Sequence, residues 1–305
     1  MQHFCTMFDQ RYLTRGLQLY RSLRIFVLGS PLWVLCLDLA SEALLRRLAL
    51  PDLQIVPLTQ LEAQFPALAA AKANRQTIEY YFTLTPHLPL ALLDWHPQIA
   101  SLTYLDADIL LYSDPQPVFA QIAGATCAIV PHRFPQHLRR LARLGTYNVG
   151  WQTFRRSPAA FACLNWWAAR CREWCYDRYE RGRFADQKYL DSWPTRFPGV
   201  AVITHPGVNL APWNLDTHTI TASAAGLRID GWPLVAYHFH GLRVDADGGY
   251  DPQFATYRVV QQELVRSTLY DPYVAQLQSL AYLVPPAAPV RQIGAGNARR
   301  APTQR

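Results

Sequence analysis

Lysine is nearly absent from this 305-residue sequence, in which Lys72 and Lys188 are the only examples. There are 29 basic and 22 acidic residues, so arginine provides almost all of the basic charge behind the formal net charge of +7. Such an excess is typical of proteins that bind nucleic acid, an anionic membrane surface or a phosphate-bearing substrate. Codon bias also enriches arginine, so the charge alone leaves these classes open.

Long hydrophobic runs are lacking as well. No segment approaches the roughly 18 apolar residues of a membrane span, because the best candidate, residues 25–39, contains glycine, proline and aspartate. Residues 1–8 lack a basic stretch followed by a long apolar one, so they predict a first strand rather than a signal peptide. We therefore expect a cytoplasmic protein, with peripheral membrane contact left open.

The six cysteines include no C-x-x-C pair. Cys171 and Cys175 are four residues apart on a predicted helix, but they have no further ligands at zinc-site spacing. We expect all six to be reduced residues of the core.

The first half of the sequence alternates short apolar runs with amphipathic stretches, a pattern typical of βα units in a mainly parallel sheet. Pro86 and Pro89 must kink or restart one of the helices, and Ser41 is expected to cap another. The predicted strands are 4–8, 32–39, 53–58, 102–105, 127–130, 200–204, 227–229 and 234–240, and the predicted long helices are 12–26, 78–93 and 158–181.

Half of the residues are hydrophobic and 17% are charged, which supports a substantial core and excludes global disorder. We expect one compact domain over residues 1–283. Residues 284–305 are rich in Pro, Ala, Gly and Arg without periodicity, and we expect a disordered tail or a membrane-adjacent arm. Arg299, Arg300 and Arg305 in this tail are available for an anionic surface.

Two aspartates follow a predicted buried strand, in a D-A-D segment at residues 106–108. In open parallel sheets, ligands bind at the carboxyl ends of the strands. Alternate residues of an extended chain share a face, so the two carboxylates converge and repel unless a cation lies between them. Mn²⁺ or Mg²⁺ suits such oxygen ligands. The alternative is a strand end before a turn, since S-D-P follows at 113–115.

Residues 238–241 read H-F-H-G and also end an apolar stretch. The two histidines share a face of an extended chain, and histidine beside carboxylates suits Mn²⁺ better than Mg²⁺. Either histidine alone would more simply be a satisfied core or surface residue. Together with the D-x-D segment, the pattern predicts that at least one of them is a metal ligand.

Four short motifs now stand in a definite order: Y-L-D-A-D-I-L at 104–110, Y-N-V-G at 147–150, D-Q-K-Y-L-D at 186–191 and H-F-H-G at 238–241. Over residues 3–245 this order resembles metal-dependent GT-A-fold glycosyltransferases, above all glycosyltransferase family 8 and related bacterial polysaccharide-assembly transferases. The resemblance implies an α/β, Rossmann-like fold: a mixed, mostly parallel sheet flanked by helices in a single domain.

The resemblance also implies an enzyme and its metal ligands. Asp106, Asp108 and His238 would hold Mn²⁺ or Mg²⁺ on the diphosphate of a nucleotide sugar, most simply a UDP-sugar, while His240 falls on a variable position. The sugar would pass to a glycan or lipid-linked acceptor, with retention of configuration, in cell-surface polysaccharide assembly. An inverting enzyme would need a base near the acceptor hydroxyl, for which Asp186 or Asp191 could serve.

Further donor contacts follow from the same resemblance. Thr6 and Tyr12 fall on its base-binding strand and loop, with Tyr12 stacked on the nucleobase. Asn148 falls on the Asn of an N-x-G motif, and Asp186 and Gln187 fall on a D-Q pair that meets the donor sugar. An N-cap is the structural alternative for Asp186.

Two departures from the family pattern concern basic residues. The Lys that commonly follows the H-x-x-G motif is missing, and Arg243 is the substitute closest in sequence. An Arg often found before the D-x-D segment is not evident at 80–84, which leaves Lys72 and Arg75 as candidates for the donor.

A loop at 205–214 carries amides and an aromatic ring that suit sugar hydroxyls and C–H faces. Asn209, Trp213 and Asn214 are tentative substrate contacts, together with His240. The alternative is a structural Pro-rich loop with Trp213 buried. The P-H-R-F segment at 131–134 could meet an acceptor, although a surface role is the simpler expectation.

Three other functions fit parts of the pattern. A sugar-nucleotide nucleotidyltransferase usually opens with a Gly-rich phosphate loop, and nothing Gly-rich follows the first predicted strand. A non-catalytic protein that binds sugar nucleotides or glycans is disfavoured by the intact motifs. A nucleic-acid module would rest on charge alone without a recognisable motif, so we expect no nucleic-acid partner.

Overall fold

The computed structural model of the chain describes residues 1–224, 226–245, 247–260 and 262–284. Fourteen strands are assigned in it. They are β1 (His3–Phe8), β2 (Leu32–Cys36), β3 (Leu53–Pro57), β4 (Ser101–Leu105), β5 (Ile109–Leu111), β6 (Cys127–Pro131), β7 (Tyr147–Arg155), β8 (Val200–Val202), β9 (Ile220–Ser223), β10 (Gly226–Ile229), β11 (Trp232–Pro233), β12 (Ala236–His238), β13 (Arg243–Val244) and β14 (Tyr250–Asp251).

The α-helices lie mainly in the first 200 residues. They are α1 (Leu13–Phe26), α2 (Leu39–Leu48), α3 (Leu58–Gln64), α4 (Leu68–Asn74), α5 (Thr77–Leu84), α6 (His87–Trp95), α7 (Gln116–Gln121), α8 (Pro158–Glu173), α9 (Trp193–Arg196), α10 (Phe254–Tyr257), α11 (Glu263–Val265) and α12 (Asp271–Ser279). Short 3₁₀-helices cover Gln10–Tyr12, Gln136–Leu144, Gln187–Ser192, Leu215–Thr217 and Ala281–Leu283, and a π-helix covers Arg266–Tyr270.

Seven strands form the central sheet, in the order β3-β2-β1-β4-β7-β6-β8. The pairings β1–β2, β2–β3, β1–β4 and β6–β8 are parallel, whereas β7 is antiparallel to both of its neighbours. Helices cover both faces, so a large apolar cluster packs on each side of the sheet. The prediction of a mixed, mostly parallel α/β sheet flanked by helices is confirmed.

The C-terminal third adds a smaller layer to this sheet. Strand β12 pairs with β5 in antiparallel register, which sets His238 opposite Ile109. A separate apolar cluster, to which Tyr237, Phe239 and Tyr270 contribute, holds this layer together. The pairing therefore carries the H-F-H-G segment to the end of β4, where the D-A-D segment begins.

Several predicted boundaries are corrected. Asp38, not Ser41, caps α2, because the Asp38 carboxylate accepts the Ser41 backbone N–H at 2.7 Å. The predicted helix 78–93 is two helices, with Pro86 as the N-cap of the second. The predicted helix 158–181 ends at Glu173.

All six cysteines are free and buried, as expected. Among the described residues, no helix has both the length and the apolar character needed to cross a bilayer. The expected tail at 284–305 lies outside the described residues from position 285 onward, and so do Arg299, Arg300 and Arg305.

Candidate active site

Asp106, Asp108 and His238 lie together at the carboxyl end of β4, with one ligand atom of each within 4.8 Å of the others. The His238 Nε2 atom is 3.1 Å from an Asp108 oxygen and 3.7 Å from an Asp106 oxygen. Backbone hydrogen bonds fix both aspartates: the Asp106 N–H donates to Gly150, and the Asp108 carbonyl accepts from Phe239. The predicted metal ligands are therefore assembled by strands distant in sequence.

Charges within this cluster are mutually dependent. Burial raises the pKa of Asp106 to about 6, against the opposing effects of His238 and of a hydrogen bond from Tyr104. Burial acts the same way on Asp108, but the His238 charge outweighs it and lowers the pKa of that carboxyl. Burial alone would lower the pKa of His238, and Asp108 reverses this so that its pKa is raised. Positive charge on His238 thus offsets the negative charge of the two carboxylates, and the three side chains form a set that could hold a metal ion.

Three residues hold the His238 ring in place. The Asn209 Oδ1 atom lies 3.4 Å from His238 Nδ1, so it can accept the Nδ1–H and leave Nε2 for the carboxylates. The Trp213 ring packs edge-on against the imidazole, with 5.2 Å between ring centroids. A Cβ at Gly150 would lie only 2.8 Å from His238 Nδ1, so only glycine leaves room for the ring.

The cluster forms part of the wall of a cavity of about 710 Å³. Tyr12 stands in the same wall, 40% exposed, and the Arg15 guanidinium lies 4.7 Å from its ring centroid. Of the residues that we predicted as ligands or substrate contacts, the following line this cavity: Tyr12, Asp106, Asp108, Asn148, Asp186, Gln187, Trp213, His238 and His240.

Asp186 is buried, and its Oδ2 atom has no hydrogen-bond partner. Its side chain does not cap the following 3₁₀-helix, in contrast to the structural alternative. Burial raises the pKa of Asp186 to about 7, with a further contribution from Asp106. Gln187 donates to the Leu144 carbonyl at 3.1 Å. A buried carboxylate with one unpartnered oxygen in a cavity wall is suited to a ligand hydroxyl.

Both polar atoms of the Asn148 side-chain amide have partners. The oxygen accepts the Gly150 N–H at 2.9 Å, and the nitrogen lies 3.4 Å from His132 Nε2. Asn148 therefore shapes the wall between the sheet and the histidines.

Three predicted contacts lie away from the cavity wall. Thr6 is fully buried within β1, and its hydroxyl has no partner. Arg75 donates to the Thr83 hydroxyl and to the Arg172 carbonyl, which ties α5 to α8. Arg243 is exposed on β13. The structure does not bring these side chains to the cluster.

Asn209 and Asn214 lie behind the wall rather than in it. Asn214 is fully buried, and its amide makes hydrogen bonds of 2.9 Å to His132, 3.0 Å to Asn209 and 2.9 Å to Ala211. Its side chain is thus used in holding the loop together, and Asn209 supports His238.

Sequence reasoning undervalued His132, which it treated more simply as a surface residue. His132 is buried, lines the cavity, stacks on Phe134 at 4.6 Å and meets the Trp213 ring at 5.2 Å. Burial lowers its pKa to about 3, so the ring is neutral. The signal available in the sequence was that His132 comes just after the predicted strand 127–130, where ligands often bind.

The fold defined by this sheet and site is that of the GT-A glycosyltransferases. Solved structures that share it include the galactosyltransferase LgtC with donor and acceptor sugar analogues, and the glycosyltransferase GlyE of Streptococcus pneumoniae TIGR4. The match to LgtC has a TM-score of 0.53 and 14% identity, over 88% of this chain and 100% of that one. For GlyE the TM-score is 0.51 and the identity 12%, over 89% and 64%.

In sequence, the chain is 34% identical to the uncharacterized protein YfnF of Bacillus subtilis (strain 168), over 79% of this chain and 82% of that protein. It therefore belongs to the same family as YfnF. The uncharacterized protein YfnD of the same organism is 27% identical over 90% of this chain and 88% of its own length. No protein-family model matches the sequence.

Proposed function

We propose that this protein is a metal-dependent glycosyltransferase that moves a sugar from a nucleotide diphosphate sugar to an acceptor hydroxyl. The observation that supports this most directly is the Asp106, Asp108 and His238 cluster in the wall of a 710 Å³ cavity. The cavity also offers an aromatic ring at Tyr12 and a buried carboxylate at Asp186. LgtC, which shares the fold, has been solved with donor and acceptor sugar analogues.

The donor set of the cluster fits a divalent cation. Two carboxylates and one neutral imidazole nitrogen suit Mn²⁺, and Mg²⁺ is the second choice because it prefers oxygen ligands. Within the described residues, the protein's own His238 supplies the charge that a cation would bring. A cation bound there would act as a Lewis acid on the departing diphosphate.

The remaining residues would bind and orient the two substrates. Tyr12 would stack on the base, for which uracil is our first expectation, and Asp186 and Gln187 would accept and donate hydrogen bonds to the sugar. During transfer the bond from the anomeric carbon to the diphosphate oxygen breaks, and the acceptor oxygen bonds to that carbon. The acceptor hydroxyl would pass its proton to the departing nucleoside diphosphate, whose oxygen takes the electron pair of the broken bond.

We further propose retention of anomeric configuration. Asp191 is not in the cavity wall, and its carboxylate accepts hydrogen bonds from the Thr146 backbone N–H and from Lys188. This leaves Asp186 as the only one of the two expected bases near the site. NMR of the product would assign the anomer, and an inverted product would contradict retention and favour Asp186 as the general base.

The acceptor is proposed to be a glycan or a lipid-linked glycan of cell-surface polysaccharide assembly. The cytoplasmic location expected from the sequence and a peripheral contact with the membrane belong to the same proposal. Thr6, Arg75 and Arg243 stay predictions as donor contacts.

The test is a panel of nucleotide sugars supplied with Mn²⁺, Mg²⁺ or a chelator, in which release of nucleoside diphosphate is followed. We expect slow, Mn²⁺-dependent release from one donor, and no release by an Asp108→Asn variant that folds normally. If no donor is cleaved and no nucleotide binds in the presence of metal, the proposal is wrong. Metal-dependent nucleotide binding without any turnover would instead indicate a sugar-nucleotide-binding protein.

A further inference from the structure

We propose that the 3₁₀-helix Gln136–Leu144, here called the strap, docks the protein on an anionic membrane surface and so presents the cavity to a lipid-linked acceptor. The acceptor part rests on the proposed function, whereas the docking can be tested without any nucleotide.

The strap has a sequence period of three that matches its helix type. Residues i and i+3 of a 3₁₀-helix eclipse each other, and runs beyond four residues are uncommon, yet this one covers nine. Leu138, Leu141 and Leu144 recur at that spacing and line the cavity. Arg140 and Arg143 share a second stripe by the same spacing. The leucines therefore face the cavity, which Arg140 also lines, whereas Arg139 and Arg143 lie outside the cavity wall.

In the part of the chain that the structure describes, no ion pair neutralises the positive charge of the strap. Arg139, Arg140 and Arg143 are all exposed, and none forms an ion pair within the described residues. No acidic residue occurs in the sequence between Asp114 and Glu173. Of the acidic residues in the neighbouring loop, Glu180 already pairs with Arg178 and Arg183, and Asp177 lines the cavity without an ion pair to the strap in the described residues.

An exposed aromatic ring lies beside this charge. The Arg143 guanidinium is 5.7 Å from the ring centroid of Tyr179, which is 48% exposed. Arginine suits phosphate groups, and amphipathic rings are enriched at membrane interfaces. Arg139 and Arg143 are about 8 Å apart along the helix axis, a spread that suits several headgroups better than one small anion. Charge complementarity thus favours a lipid surface.

The strap is also tied to the residues proposed to hold the donor sugar. Its Leu144 carbonyl accepts from Gln187 at 3.1 Å, and its Ala142 carbonyl accepts from Lys188 at 3.3 Å. Leu138 packs with Trp213, which in turn contacts His238. A membrane bound to the strap would therefore lie next to the cavity opening, within reach of a lipid-linked sugar.

The experiment compares an Arg139→Gln/Arg143→Gln variant with a matched control, Arg21→Gln/Arg47→Gln, which removes two exposed arginines of α1 and α2. Sedimentation is measured with vesicles of equal phosphatidylglycerol and phosphatidylcholine, and with phosphatidylcholine alone. We expect the wild type to bind only the anionic vesicles. The strap variant should bind them about 30-fold more weakly, and the control within about threefold of the wild type.

Three results would overturn the proposal. The first is an equal loss of vesicle binding in both variants, and the second is displacement of the protein from vesicles by 10 mM inorganic phosphate but not by chloride of equal ionic strength. The third is that the protein binds a single-stranded RNA and no vesicles. Mn²⁺-dependent UDP binding is measured alongside and should stay within about twofold in the strap variant. Vesicle binding by a wild type that binds no UDP would refute the transferase while the docking stands.

Discussion

Asn209 shows how a single residue can set the chemistry of another. Its backbone lies in the left-handed region, with φ of 60°, where side chains other than Asn and Asp are rare. From this conformation its Oδ1 atom reaches His238 Nδ1, which fixes the imidazole tautomer whose Nε2 can bind a metal. Partners of this kind commonly contribute 10–100-fold to metal affinity.

We therefore expect Asn209→Gly to weaken Mn²⁺ binding by about 10- to 100-fold. Glycine adopts the same backbone region without strain, so only the amide is lost. Mn²⁺ electron paramagnetic resonance of the free and bound ion measures the affinity. Asn209→Asp, which keeps an oxygen acceptor, is the control and should bind at least as tightly as the wild type. Unchanged affinity in the glycine variant would show that His238 needs no support from Asn209.

The ionised carboxylate of Asp186 destabilises the folded protein. Its pKa is raised from 3.8 to about 7 in the folded protein, because burial disfavours the charge. The folded state therefore holds the proton more tightly than the unfolded chain, so stability is highest below pH 4 as far as this group is concerned. It falls as pH rises to about 7, by at most about 4 kcal/mol.

Replacement of Asp186 by Asn should consequently stabilise the protein, and more so at pH 8 than at pH 5. Urea unfolding of both proteins at the two pH values measures the difference. A stability gap that does not depend on pH would contradict the raised pKa. We expect the same variant to lose sugar transfer, since substitutions that stabilise a functional site commonly lower its activity.

At the residue scale, the convergence of Asp106 and Asp108 could be predicted because the rule needs only sequence: two aspartates two apart after a buried strand. The orientations of the Arg243 and Thr6 side chains, by contrast, could not be predicted from the sequence. The family resemblance assigns Thr6 to a base-binding strand and Arg243 to the segment after the H-x-x-G motif, but strand pairing and tertiary packing decide which way a side chain points. His132 was undervalued for the converse reason, since its partners Phe134 and Trp213 come from different parts of the chain.

Strand β7 is the longest of the strands that sequence patterning missed, and its nine residues lie inside the central sheet between β4 and β6. Its N-terminal residues appeared only as a motif, because asparagine and glycine near its start weaken a strand pattern. Its pairing with β6 shifts register between Ile129 and Val130. This irregularity brings Asn148 and Gly150 to the site, a common use of bulges beside functional residues.

Gly150 is the position in β7 where a side chain would do most harm. A Cβ there would lie 2.6 Å from Asn148 Oδ1 and 2.8 Å from His238 Nδ1. Gly150→Ala should therefore displace the imidazole and weaken Mn²⁺ and nucleotide binding at least about tenfold. Gly124→Ala is the matched control, since nothing lies within 4 Å of a Cβ there. Isothermal titration with UDP and Mn²⁺ compares the two, and equal affinities would mean that the ring can move aside.

On the scale of the whole molecule, the site joins two parts of the fold. Asp106 and Asp108 end the central sheet, whereas His238 belongs to the C-terminal layer with its own apolar cluster. The 130 or so residues between them are bridged by the β5–β12 pairing and by the side chains of the site. A ligand that binds all three residues should therefore resist separation of the layer from the sheet.

This coupling predicts that Mn²⁺ and UDP together stabilise the whole protein. A ligand at 100 times its Kd adds about 2.7 kcal/mol to the stability of the folded state, which corresponds to a rise in Tm of about 5 °C for a chain of this size. Calorimetry should show this rise with both ligands, a smaller one with either alone, and its reversal by a chelator. Asp108→Asn should remove the joint effect without lowering the Tm of the free protein as much as a core substitution would. A rise with UDP that a chelator leaves unchanged would place the nucleotide away from Asp106, Asp108 and His238, because the proposed binding through this cluster depends on a bound cation.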